Sequence, residues 1–109
     1  MRLVNVELMR TLCRDETIKA TKHFTDRLNE RDIEYDDVLS AIMSGEIVEE
    51  YPEAYPHPCT LILNFLTDSK PLHVVAGTDG NYLWLITAYY PTLDKWESDY
   101  KTRKVVENQ

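Results

Sequence analysis

Glycine, cysteine and long apolar runs are scarce in this sequence, and each shortage excludes a class of protein. With three glycines in 109 residues, the chain has no Gly-rich loop of the kind that cradles nucleotide phosphates. Its two cysteines, Cys13 and Cys59, form no CxxC pair, so neither a disulfide framework nor a structural zinc site is predicted. No stretch approaches the roughly 18 apolar residues of a membrane span, and the first residues lack the apolar run of a signal peptide. We therefore expect a cytoplasmic protein that has no membrane partner.

Acidic and hydrophobic side chains are what the chain has in quantity. Hydrophobic residues make up 43% of the sequence, and a length of 109 residues suits one core, so we expect a single domain over residues 1–109. The net charge is −7, from 12 basic and 19 acidic residues. Such a charge repels a phosphate backbone overall. Any chemistry on RNA must therefore be confined to one concentrated basic site.

Helical spacing of apolar residues dominates the first part of the chain. It predicts a helix over about residues 3–13, and then a helix that begins after the N-cap residue Thr21 and continues to about Arg31. A third helix follows, with acidic residues in its first turn and Gly45 as its stop.

After Gly45 the spacing changes to that of strands. The turn Asp79-Gly80-Asn81 is a strong hairpin signal. We therefore predict an α+β fold, in which N-terminal helices pack on a four-stranded, mainly antiparallel sheet with a C-terminal helix. The predicted elements of this second half are strands at Glu46–Tyr51, Thr60–Leu66, Leu72–Gly77 and Tyr82–Tyr90, a closing helix at Asp94–Lys104 and a frayed end at Val105–Gln109.

The first candidate site is a basic stripe of His23, Arg27 and Arg31 on the second predicted helix. At about 100° per residue, these side chains lie beside the buried pair Phe24 and Leu28 and border the edge where helix meets sheet. Cationic groups there can hold a phosphate, and a histidine can move a proton near neutral pH. The alternative is that the arginines pair with neighbouring acidic residues on a solvated helix face.

Further candidates lie in the strands and near the end of the chain. His73 stands between apolar strand residues and is either a catalytic group or a buried structural histidine. Tyr89 and Trp96 can stack on bases, or else pack against the closing helix. Arg103 belongs to a basic last turn that either holds a phosphate or complements the helix dipole.

Several ordered blocks stand out along the chain. They are Thr21-x-His23-Phe24-x-x-Arg27-x-x-x-Arg31, Asp37-Val38-x-x-Ala41-Ile42, Gly45-Glu46-Ile47-Val48-Glu49-x-Tyr51-Pro52, Pro71-Leu72-His73-Val74-Val75, and Leu85-Ile86-Thr87-Ala88-Tyr89-x-Pro91 followed by Trp96 and Arg103. Together they resemble a bacterial family, the domain of unknown function numbered four-two-five-eight. The resemblance covers roughly Ile18–Lys104, which is nearly the whole chain.

This resemblance implies a compact toxin. Members of the family are often seen beside small zinc-ribbon, antitoxin-like proteins, and their layout is similar to RelE-type and barnase–colicin-type toxins, which cut RNA without a metal. The family has no fixed residue type at His57 and Cys59, so the resemblance implies no metal ligand there. The polar positions that match the family are His23, Arg27, His73, Thr87, Tyr89 and Arg103.

We therefore expect a metal-independent ribonuclease, the toxin of a toxin–antitoxin pair, with RNA as substrate, an antitoxin protein as partner and no cofactor. The alternative is a non-catalytic module that binds a protein through the same His/Arg cleft, with Arg27 on a carboxylate of a partner or of Glu46–Glu50. The cleft is expected between the second helix and the sheet, and the oligomeric state stays open. The predicted catalytic residues are His23, Arg27, His73 and Tyr89, and the predicted substrate-binding residues are Arg31, Thr87 and Arg103.

Overall fold

A computed structural model describes residues 5–105 of the chain as three helices and one five-stranded sheet. The predicted α+β class is confirmed, while residues 3 and 4 of the first predicted helix and residues 106–109 of the predicted frayed end lie outside the described part. In chain order the elements are α1 (Val6–Arg14), β1 (Ile18–Ala20), α2 (Lys22–Arg31), α3 (Tyr35–Ser44), β2 (Glu46–Tyr51), β3 (Cys59–Phe65), β4 (Pro71–Thr78) and β5 (Leu83–Tyr89).

Local hydrogen bonds fix where the helices begin and end. The side chain of Thr21 accepts a hydrogen bond from the backbone N–H of Phe24 at 3.1 Å, which makes Thr21 the N-cap of α2 as predicted. Helix α2 ends at Asp32, whose backbone is left-handed, with a φ of 57°. Helix α3 ends at Gly45, where a Cβ atom would meet backbone atoms of Ala41. The bounds of α2 and α3 were therefore readable from the sequence.

The prediction of four strands is wrong, because the sheet has a fifth strand, β1; three of the four pairings are antiparallel, and the added strand makes the sheet mixed. The order across the sheet is β1-β5-β4-β3-β2, and only the pairing of β1 with β5 is parallel. Ile18–Ala20 has three residues, too few to show an alternating pattern. Pairing with the distant β5 makes it a strand: the backbone N–H of Leu83, at the start of β5, bonds the carbonyl of Thr17 at 3.0 Å.

The predicted closing helix over Asp94–Lys104 is also wrong. Residues 92–105, which we call the C-terminal segment, form turns closed by an antiparallel bridge between Trp96 and Arg103. The side chain of Asp99 accepts hydrogen bonds from the backbone N–H groups of Lys101 and Thr102, and Tyr100 has a φ of 56°. An Asp that bonds nearby N–H groups in this way competes with helix formation.

The sheet has two unlike faces. All three helices pack on one face, the helix face, where Phe24, Leu28 and Val74 belong to one apolar cluster. The opposite face, the far face, is covered by the loop of residues 52–58 and by the C-terminal segment. Within residues 5–105, no helix combines the length and apolar character that crossing a bilayer requires.

Candidate functional site

Most of the predicted site residues lie around the C-terminal end of β5. Thr87 and Tyr89 are part of that strand, and His73 of β4 is the register partner of Tyr89. Arg31 reaches the same strand from the last turn of α2, and Arg103 faces Tyr89 across a groove on the far face. The sheet thus brings together residues that stand far apart in the sequence.

His73 is fully buried, and both of its ring nitrogens have a partner. Its Nε2 lies 2.8 Å from the carbonyl oxygen of Tyr100, and its Nδ1 lies 3.2 Å from the hydroxyl of Tyr89. Because a carbonyl only accepts, Nε2 carries the proton of the neutral ring and Nδ1 accepts a hydrogen bond from Tyr89. Burial lowers the pKa of His73, so the ring is neutral near pH 7. Its ring packs at right angles to that of Trp96, with centroids 4.6 Å apart.

Tyr89 joins this buried histidine to the surface. The phenol is half-buried, and burial raises its pKa, so the hydroxyl keeps its proton at neutral pH. Tyr89 also lines a groove of about 430 Å³, which we call the tyrosine cleft. The residues that line this cleft are Tyr89, Tyr90, Pro91, Thr92, Lys95, Trp96 and Arg103. Tyr89 therefore forms part of the cleft wall while its hydroxyl is hydrogen-bonded to a neutral imidazole.

Arg103 also lines the cleft and is held in a bidentate ion pair. Its Nε and Nη2 donate to the two carboxylate oxygens of Glu49 at 2.8 Å and 3.0 Å. The same guanidinium lies 4.6 Å from the ring centre of Trp96. The hydrogen bond from Arg103 is the main reason why the pKa of Glu49 lies below its ordinary range. The predicted basic group at the end of the chain therefore belongs to the site, although no helix presents it.

Residues 20–90 match the family model described as "Domain of unknown function (DUF4258)". The chain belongs to this family. The matched span contains the basic stripe, His73 and Tyr89, and it ends before Trp96 and Arg103. No curated protein and no solved structure matches the chain.

Further cations surround the cleft of this DUF4258 domain. Nη1 of Arg31 donates to the carbonyl of Ala88 at 2.8 Å and lies 3.3 Å from the hydroxyl of Thr87. The ammonium of Lys70 lies 3.8 Å from the ring centre of Tyr90. Arg31, Lys70, Lys95 and Arg103 thus lie beside aromatic rings at one end of β5. Acidic side chains lie there too, since Glu49 pairs with Arg103 and Asp32, Asp37 and Asp68 are near Tyr90.

The two other residues of the basic stripe do not join this site. His23 is exposed, and Arg27 forms an ion pair at 2.8 Å with Glu30 of its own helix. The expected cleft between α2 and the sheet is wrong, because α2 packs on the helix face while His73 points to the far face. Neighbouring side chains of a strand alternate between faces, and the neighbour Val74 is the one that joins the helix-face cluster.

Some residues of the site were not predicted as parts of it. Lys95 was placed in a closing helix that does not exist, and the carbonyl of Tyr100 carries no sequence signal. The alternative hypothesis placed Arg27 on a carboxylate of a partner or of Glu46–Glu50, but the structure pairs Glu49 with Arg103. In the described part of the chain, no group of three or more His, Cys, Asp or Glu side chains is arranged to hold a metal ion.

Proposed function

We propose that this DUF4258 domain is a metal-independent endoribonuclease, the toxin of a toxin–antitoxin pair, and that its active site is the tyrosine cleft. The observation that carries the proposal is the position of Tyr89, which lines a cleft together with Lys95 and Arg103 and whose hydroxyl donates to the neutral Nδ1 of His73. In this site His73 does not contact the substrate, because its ring is fully buried. It acts through Tyr89, as a positioning residue that also receives a proton.

The proposed reaction is attack of a ribose 2′-hydroxyl on the adjacent phosphate. The 2′-hydroxyl proton passes to the oxygen of Tyr89, while the phenol proton passes to Nδ1 of His73. The bond from O2′ to phosphorus forms, the bond from phosphorus to O5′ breaks, and the departing O5′ takes a proton from the ammonium of Lys95. The products are a 2′,3′-cyclic phosphate and a 5′-hydroxyl end.

Charge stabilisation falls to the cations of the cleft. Arg103 presents a planar fork of N–H donors that suits phosphate, and its hold on Glu49 shows that it already binds an oxyanion in a bidentate manner. Arg31, which is fixed on Ala88 and Thr87, adds positive charge on the other side of Tyr89. Donors fixed in this way before the reaction are worth several kcal/mol in a transition state.

Purified protein tests the proposal on single-stranded RNA in the presence of a chelator. We expect cleavage that the chelator does not reduce, cyclic phosphate ends, and a loss of about a hundredfold or more in rate for Tyr89→Phe, the scale of general acid–base catalysis. Tyr82→Phe is the matched control, because Tyr82 is also a partly exposed tyrosine but lies outside the cleft. Full activity of Tyr89→Phe would refute the mechanism. Loss of wild-type cleavage in the presence of the chelator would also refute it.

A second candidate is a non-catalytic module that binds a partner protein through the same cleft. The observation that favours it is that two arginines of the predicted site already bind carboxylates: Arg103 binds Glu49, and Arg27 binds Glu30. An acidic side chain of an antitoxin would replace Glu49 on Arg103. Protein that leaves RNA intact, yet binds its antitoxin more weakly after Arg103→Ala, would decide for this candidate.

A further inference from the structure

A second pocket lies on the far face, at the opposite end of β5 from the tyrosine cleft. We call it the loop pocket; it has a volume of about 230 Å³. Pockets for drug-sized ligands measure roughly 300–1,000 Å³, so this one holds a single ring system. The residues that line it are Thr21, Ala54, Tyr55, Pro56, His57, Pro58, Cys59, Gly77, Trp84 and Ile86.

Gly77 is the residue that lets this pocket form. Its missing side chain would point to the far face, and a Cβ atom there would meet the carbonyl oxygen of Pro58 and the Cβ of Cys59. The loop of residues 52–58 therefore passes directly over β4 and β3. It carries Tyr55 and His57 to the side of the pocket that faces Trp84.

Flat rings dominate the walls. The rings of His57 and Trp84 are inclined by only 26°, with centroids 6.4 Å apart, which is near the far end of the range for aromatic neighbours, about 4.5–7 Å. The indole N–H of Trp84 donates to Asp79 at 3.0 Å, which fixes the plane of that ring. Tyr55 is 96% exposed at the rim, free to cover an occupant. Such walls suit a planar ring that stacks.

Strand β5 links the loop pocket to the tyrosine cleft. Trp84 lines the pocket and Tyr89 lines the cleft, and five strand residues span roughly 16 Å. Between them Arg31 is fixed on Ala88 and Thr87. Two aromatic surfaces along one strand, with a cation between them, suit a single-stranded nucleic acid, because bases stack on aromatic rings while phosphates meet positive charge.

We propose that the loop pocket is a base-binding subsite for single-stranded RNA, in which one base stacks on Trp84 while its strand runs along β5 to the tyrosine cleft. This proposal rests on the proposed function, since it names the form of its substrate. It predicts that the enzyme selects unpaired RNA, because a base in a duplex cannot enter the pocket. One base, at a fixed number of nucleotides from the cleaved phosphate, contributes most of the affinity that the pocket supplies.

Binding and cleavage are measured separately to test it. The binding probe is a labelled hexanucleotide with 2′-O-methyl riboses, which cannot undergo attack by a 2′-hydroxyl, together with versions that lack one base at each position in turn. We expect loss of one particular base to weaken binding to the wild-type protein about tenfold, within the range of a base–aromatic stack. Trp84→Leu is expected to bind the complete probe about tenfold more weakly than the wild type. Its affinity should not fall further when the probe lacks that base.

Tyr55→Ala provides a second variant that does not threaten the fold, since Tyr55 is almost fully exposed; we expect it to weaken binding severalfold. Tyr82→Ala, an exposed aromatic outside both pockets, is the matched control. If unmodified RNA is cleaved but Trp84→Leu and Tyr55→Ala bind the probe like the wild type, the base subsite is overturned and the ribonuclease stands. If the probe binds with the expected base dependence but RNA is never cleaved, the subsite stands and the catalytic proposal fails.

Discussion

The two faces of the sheet differ in what covers them and in what they contain. On the helix face, apolar side chains of the three helices pack against the sheet in one cluster, which includes Phe24, Leu28 and Ile42. On the far face, a loop and the C-terminal segment cover His73, whose polar atoms are satisfied by Tyr89 and Tyr100. No buried side-chain nitrogen or oxygen in residues 5–105 lacks a hydrogen-bond partner.

This difference suggests that residues important for stability and residues important for chemistry lie on different faces of the sheet. The helix face contains the large apolar cluster, whose burial stabilises the fold, and Leu61, Leu63 and Trp96 are buried apolar side chains outside that cluster. The far face buries a titratable ring at the cost of desolvation and places Tyr89 in the wall of a cleft. Substitutions in the helix-face cluster should therefore change the free energy of unfolding, whereas those of the cleft residues Tyr89 and Arg103 should change binding and catalysis more than stability.

The largest effect is expected for Phe24→Ala. Phe24 is 1% exposed and anchors α2 to the sheet. Truncation of a buried phenylalanine lowers the free energy of unfolding by about 3–5 kcal/mol, which in a domain of this size removes much of the total. Urea unfolding followed by circular dichroism measures it. A loss below about 1 kcal/mol would contradict the assignment of stability to the helix face.

The next effect is a pH dependence that comes from His73. Since burial lowers its pKa from the ordinary value of 6.5, the unfolded chain binds a proton more readily than the folded one. Stability is then complete above about pH 6.5 and falls as the pH decreases from there toward the lower folded-state pKa. Unfolding measured from about pH 8 to pH 5 should show this decline in the wild type.

His73→Gln serves as the comparison, because glutamine still offers a donor for Tyr100 but does not titrate in this range. Its stability should change less with pH between about pH 6.5 and pH 5 than that of the wild type. Glu49 acts in a different window: its lowered pKa gives stability above about its ordinary value of 4.5 that is lost at more acidic pH. Equal slopes in wild type and variant would show that His73 is not the titrating group.

A smaller effect on stability is expected for Glu49→Gln, which removes the charge opposite Arg103. Arg103 is 56% exposed, so solvent screens the pair and the loss is at most about 1 kcal/mol. The affinity of the tyrosine cleft for an RNA probe should instead rise severalfold, because Glu49 no longer competes for Arg103. Glu50→Gln, on the same strand, is the control. Unchanged or weaker RNA binding would show that Arg103 does not act on phosphate.

The smallest effect is expected for Arg27→Ala. Its ion pair with Glu30 lies on the surface of α2 and contributes roughly 0.5 kcal/mol or less. If the far face carries the chemistry, RNA cleavage by this variant equals that of the wild type. Loss of cleavage without loss of stability would show that the active site lies at the basic stripe, and that the far face does not carry the chemistry.

Features that depend on neighbouring residues were predictable from the sequence. The cap at Thr21, the stop at Gly45 and the turn at Asp79-Gly80-Asn81 gave α2, α3 and the connection of β4 to β5. The sequence also points to His73, Tyr89 and Arg103 as candidate residues, and the structure places all three around one cleft. What these signals share is a range of a few residues, over which backbone hydrogen bonds and side-chain spacing decide the local structure.

Pairings between distant segments were not predictable in this way. Ile18–Ala20 becomes a strand only because β5 lies beside it, and residues 92–105 lose their predicted helix because Trp96 is buried against His73 and Asp99 binds the backbone of the next turn. The alternation along β4 shows that His73 and Val74 take opposite faces, but not which face the helices cover.

The sequence by itself determined the α+β class, the helix ends, most strand bounds and the kinds of side chain that the site contains. Only the tertiary structure decided that His73 faces away from α2, that Arg103 holds Glu49, and that Tyr89 connects the buried ring to a cleft. The physical reason is that capping and alternation act between near neighbours. The choice of face, by contrast, is made by the packing of whole elements, whose free energy depends on apolar area buried between residues far apart in the chain.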